Sequence, residues 1–142
     1  MKEFFLILFF GKAVLLTPVP IDLHGRVEMV PPEPIKAITS GASIEIDVSS
    51  KITWDGKENI LDFRKRVAEL FPSGTITASL VRPDSSELAL VYEGFYSISK
   101  DDVRLSLYAP NGVPTGIEFT KVIVDSTIEL NGIQIIWKNY MD

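Results

Sequence analysis

Apolar and polar residues alternate with a period of two through most of this chain. Ile44, Ile46 and Val48 alternate with Ser43, Glu45, Asp47 and Ser49. Ile76, Ala78 and Leu80 alternate with Thr75, Thr77 and Ser79. The same holds for Leu88, Leu90 and Tyr92, for Val103, Leu105 and Leu107, and for Ile133, Ile135 and Trp137. Such runs mark strands with one buried and one wet face. Residues 117–124 become apolar at every position toward their end, which predicts a central strand or one carrying a bulge.

The links between these runs carry turn chemistry. Pro83-Asp84-Ser85-Ser86 joins two strands, and Asn111-Gly112 and Asn131-Gly132 offer the left-handed backbone that tight hairpins need. Five of the nine prolines fall between positions 18 and 34. Proline cannot donate to a ladder, so this stretch reads as a proline-rich entry or an edge strand. Within it, residues 21–30 predict a ragged strand around a His24-Gly25 turn. Residues 133–139 form a final strand, and were it an edge its free backbone groups could take a partner's strand.

One segment breaks the period. Asp55-Gly56-Lys57-Glu58 has the form of a capping box with aspartate, and Ile60, Phe63, Val67, Leu70 and Phe71 then recur at helical spacing. Arg64, Lys65 and Glu69 fall mostly off that stripe, and Pro72-Ser73-Gly74 stops it. This predicts a helix near 57–71, with Trp54 packed as a staple on its first turn and Arg64-Lys65-Arg66 on its wet side. The fold class that follows is mainly β: an antiparallel β-sandwich of immunoglobulin-like general shape with one inserted helix.

The start of the chain stands apart. Residues 4–10 are all Phe, Leu or Ile, directly after Met1-Lys2-Glu3. Residues 1–17 therefore read as a signal or leader segment, or as a buried first strand, followed by the entry at 18–34 and the sandwich domain at 35–142. The fit to a leader is partial, because Glu3 offsets Lys2 and no clear Ala-x-Ala site follows. A transmembrane span is not expected, since about 20 apolar residues are needed and Lys12 interrupts this stretch. A leader places the domain in the periplasm or outside the cell; without one the chain is cytoplasmic, as a structural subunit.

Composition narrows the chemistry. The chain has 142 residues, the size of a single domain, and 46% hydrophobic residues, enough for a core. The net charge of −5 repels phosphate backbones, so nucleic acid is not an expected partner. Cysteine is absent, which removes disulfides, thiol catalysis and thiolate metal sites. His24 is the only histidine, so a site with two histidines in one chain is impossible. No phosphate-binding glycine loop and no Gly-x-Ser-x-Gly elbow occurs, and no cofactor is expected.

The candidate recognition surface is Tyr92, Glu93, Phe95 and Tyr96 around Gly94, with Asp101 and Asp102 just beyond. Aromatic rings bury large area at small entropic cost, and tyrosine keeps a hydroxyl for a partner. Tyr92 shares the parity of Leu88 and Leu90 and is expected to point inward; Trp137 is expected in the core. These residues predict a non-catalytic binding module that recognises a protein partner, with self-association as a further possibility. The alternatives are a carbohydrate- or calcium-binding accessory domain using the 92–102 region, with Asp84 and Asp125 as further oxygen ligands, and a carboxylate hydrolase using two of the acids.

Overall fold

The computed structural model describes residues 13–99 and 101–139. The predicted runs all become strands, the ragged one at 21–30 among them, and one short strand precedes it. The order is β1 (Ala13–Leu15), β2 (Ile21–Met29), β3 (Ser43–Asp47), α1 (Ile60–Leu70), β4 (Ile76–Val81), β5 (Glu87–Ser99), β6 (Asp102–Tyr108) and β7 (Lys121–Lys138). Among the described residues the protein is mainly β with one helix, as the sequence pattern predicts. Every strand pairing is antiparallel, along the path β1-β7-β3-β6-β5-β4, with β2 also on β7 and β4 pairing back onto β7. The ring β7-β4-β5-β6-β3 therefore closes on itself. The layers of the expected sandwich come from one folded sheet.

Closure depends on β7 serving two partners in succession. Its first part pairs with β4, from Val81↔Lys121 to Ile76↔Ser126. Its last part pairs with β3, from Asp47↔Gln134 to Ser43↔Lys138. Between them the register against β2 slips twice, on either side of Leu23↔Leu130, and Gly132 takes a φ of +65°. Asn131-Gly132, predicted as a hairpin turn, is instead the bend that carries one strand from the first partner to the second. The glycine is left-handed as expected, but it lies inside an eighteen-residue strand and not between two strands.

β5 bends in the same manner. It pairs with β4 from Glu87 to Val91 and with β6 on both sides of a break between Tyr92 and Tyr96. Gly94 sits in that break with a φ of +96°. A Cβ there would meet nothing within 4 Å, so the backbone angle, not crowding, demands glycine.

β1 and β2 lie end to end on the other side of β7 and pair with no further strand among the described residues. Among the described residues the sheet's free edge is thus β1 and β2, whereas the C-terminal strand pairs with β1, β2, β3 and β4. β2 is the predicted ragged strand, but His24 lies within it and not in a turn, with its side chain in solvent. Asp22, Arg26 and Glu28 are exposed beside it, and prolines stand at both ends, so the edge is poorly suited to adding another strand. Residues 13–15 of the candidate leader are β1. The apolar run 4–10 lies outside the described residues. Thr17, buried behind β1, accepts the Ile135 N–H through Oγ1 at 2.9 Å.

The helix starts later than predicted. Asp55 Oδ1 accepts the N–H groups of Lys57 (2.8 Å) and Glu58 (3.0 Å), forming a separate turn. These backbone donors hold the Asp55 carboxyl below its usual range. The cap is Asn59, whose Oδ1 accepts the Leu61 N–H at 2.8 Å. Trp54 packs on the first turn as expected, its ring 6.3 Å from Phe63, while its Nε1 donates to the Glu58 carbonyl. The helix ends before Pro72, which disfavours helical backbone at Phe71. Phe63, Val67 and Phe71 are buried, but Ile60, Leu61 and Leu70 are not. The helix therefore covers the core with only part of its apolar surface.

Candidate functional site

The helix lies over the bend of β5, and an open groove of about 630 Å³ runs between them. That volume falls in the range of roughly 300–1,000 Å³ common to ligand sites. The helical wall is Ile60, Arg64, Val67, Ala68 and Phe71. The strand wall is Tyr92, Gly94, Phe95, Tyr96 and Ile98, and Ser73 closes one side. No carboxylate lines it.

Two features of the backbone create this shape. After the helix, the Gly74 N–H donates to the Tyr92 carbonyl at 2.9 Å, which ties the helix exit to the start of the bend. Past Tyr92 the ladder to β6 skips Glu93, Gly94 and Phe95 and resumes at Tyr96. The strand bows where the helix passes over it, and three residues leave the sheet's pairing frame.

The aromatic side chains divide by depth. Tyr92 is only 1% exposed and forms the floor, as its parity predicts. Burial pushes its phenol up to about 12, so the hydroxyl stays protonated at neutral pH. Tyr96 is half-buried, its ring 6.1 Å from that of Phe63. Phe95 is 60% exposed and makes an edge-to-face contact with Tyr108, their centroids 6.0 Å apart.

The structure thus gathers Tyr92, Phe95 and Tyr96 around one groove. Glu93 is exposed and does not line it. Asp101 and Asp102 lie away from it, at the turn that starts β6, where Asp102 pairs with Arg104 at 3.0 Å. Asp84 is spent on its own turn, accepting the Ser86 N–H and Oγ. Among the described residues, no group of three or more His, Cys, Asp or Glu could hold a metal ion.

Sequence reasoning missed the helical half of the groove. Arg64 was read as solvated surface, yet its neighbours three and four positions away are Ile60, Leu61, Val67 and Ala68, none of them acidic. That apolar surround was the available signal. Arg66, by contrast, holds Glu58 through two hydrogen bonds of 2.9 and 2.7 Å, which raises the guanidinium's pKa.

A second departure lies on β3. Glu45 was read as part of a wet face and is only 2% exposed. Its carboxylate meets Arg104 Nη1 at 3.4 Å, Ser106 Oγ at 3.4 Å and Lys138 Nζ at 3.7 Å. Ser43 and Ser106 beside it are buried as well. With one carboxylate held between two cations, this cluster is built as a structural tie across β6, β3 and β7.

The chain matches no protein-family model, no curated protein and no solved structure.

Proposed function

We propose that this chain is a non-catalytic, extracytoplasmic binding module that recognises a protein partner through the groove between α1 and β5. The observation that carries this reading is the concentration of accessible apolar surface there. Phe95 (60% exposed) and Ile60 (40% exposed) stand on opposite walls of a cleft also lined by Tyr96, Ala68 and Ile98. Contiguous apolar surface with a polar surround marks interaction sites on soluble domains. Aromatic anchors around a concave patch are the usual carriers of binding energy.

Phe95 and Tyr108 meet at an interplanar angle of 83°. They present one face and one edge instead of a flat platform, which suits side chains of a protein better than a stacked sugar ring. The extracytoplasmic part of the reading rests on the apolar run at 4–10. A cleavage that left the sheet whole would fall before Ala13, because β1 pairs with β7.

The test is recovery of a partner from the native source by the full chain and by Ala68→Trp, which fills the groove from an exposed helical position. One stoichiometric protein held by the first and lost by the second is expected. Retention of the same protein by Ala68→Trp, or recovery of none, rejects the reading. N-terminal sequencing checks the location: a mature chain still starting at Met1 contradicts it.

A further inference from the structure

Resting on the groove as the recognition site, we infer that its occupant is a short amphipathic peptide segment of the partner, with apolar anchors for the cleft and an acidic side chain for Arg64. Three observations on this groove converge on that chemistry.

The first is charge. Arg64 lines an otherwise apolar cleft and forms no ion pair among the described residues. Its helical neighbours are apolar, and Lys65 follows it, so α1 carries a local positive lip on a chain of net charge −5. A guanidinium beside apolar walls is partly shielded from water, which strengthens its attraction for a carboxylate and favours a two-pronged contact. A basic or neutral segment leaves that cation without a partner when the groove is covered.

The second is backbone. Glu93, Gly94 and Phe95 stand outside the β6 ladder, and Gly94 forms part of the groove wall. Peptide N–H and C=O groups at a bowed strand are able to bond another main chain. An aliphatic lipid chain has nothing to offer them.

The third is the openness of the cleft. It is bounded by one helix and one strand, with Phe95 largely in solvent on the strand side and Ile60 partly so on the helix side. An occupant keeps one side wet, as an amphipathic peptide does and a hydrocarbon tail does not.

The experiment sorts a phage-displayed library of random nine-residue peptides on the full chain, then measures synthetic copies of the enriched sequences by fluorescence anisotropy. Enriched peptides are expected to combine at least two apolar or aromatic residues with Asp or Glu. Binding should weaken at least tenfold in Arg64→Glu and recover when the peptide acid is exchanged for Lys. Circular dichroism of Arg64→Glu confirms an intact fold, since no acidic residue lies three or four positions away on the helix. Enriched peptides that lack acidic residues, or that bind Arg64→Glu unchanged, overturn the inference while leaving the groove reading intact if Ala68→Trp still abolishes binding. Peptides indifferent to Ala68→Trp overturn both. A concentration-dependent dimer abolished by Ala68→Trp makes a second copy of this chain the occupant and also overturns the inference.

Discussion

On the outer face of β3 and β6, a carboxylate and two serines are taken out of water; at the groove beside α1, a phenylalanine is left in it. Both depart from the usual partition of side chains, and their consequences differ in kind. Burying Glu45 costs several kcal/mol in desolvation, so the site works only with partners fixed on neighbouring strands, here Arg104 and Lys138. Such a group constrains strand register, because a one-residue slip removes its partners. Leaving Phe95 exposed forgoes roughly 1.5–3 kcal/mol of burial and places no demand on its neighbours. The first region spends stability on a defined structure, the second on a surface that only an outside molecule can complete.

Removing the buried carboxylate should have the largest effect on stability. Glu45→Leu leaves Lys138 short of one counter-charge, while Arg104 keeps Asp102. A loss of about 3 kcal/mol is expected, the lower end for breaking a buried pair. Urea unfolding measures it, and a loss under about 0.5 kcal/mol would mean the carboxylate organises nothing. Peptide binding at the groove, corrected for the folded fraction, should not change.

The two bends sharpen the contrast. Gly94→Val and Gly132→Val each force a β-branched residue to positive φ, at about 2 kcal/mol apiece. Gly132 also lies near Ser50, whose Oγ sits 3.4 Å from an added Cβ. Only Gly94 touches the groove, so only Gly94→Val should lose peptide binding in the folded population. Equal loss in both variants would show that the groove reports global stability and not local shape.

The same contrast explains what the sequence revealed. Period-two alternation located Ile44, Ile46, Leu105 and Trp137 in the core because one face of each strand meets it. It failed at Glu45, where the opposite face is covered too, since alternation records polarity and not what lies above a sheet. The helix was legible from Phe63 and Val67, but its start was not, because Asp55 and Asn59 are both cap-type residues and the nearer one won. β2 was legible as a ragged strand at 21–30, but not its continuity through His24-Gly25, where a turn was expected. Asn131-Gly132 advertised a left-handed turn, and only the pairing of residues on both sides makes it a bend. Half of the groove was visible as the aromatic run 92–96. The other half depends on which face the helix sets against β5, a tertiary fact no local pattern carries.

Alkali probes the floor of the groove. Tyr92 ionises near 12 in the folded chain, raised by burial from an ordinary value of 10.0. The folded state holds the phenolic proton more tightly than the unfolded state does. Its contribution is therefore complete below pH 10 and is lost as the pH rises through 12. Wild-type stability should fall across that window, and Tyr92→Phe should fall less, with little difference between the two at pH 7. Parallel alkaline curves would mean the hydroxyl is already in water.

Phe95→Ser should be the quietest change in stability and the loudest in binding. The ring is mostly in solvent, and substitutions at such positions usually lie within about 0.5 kcal/mol of neutral. Its edge-to-face contact with Tyr108 adds little where both rings are wetted. An aromatic anchor at the rim of a cleft, however, commonly costs more than tenfold in affinity when removed. Melting temperature and peptide anisotropy on the same preparation separate the two readouts. A variant that melts several degrees lower while binding normally would make Phe95 part of the fold's own packing, and the difference between the two regions would vanish.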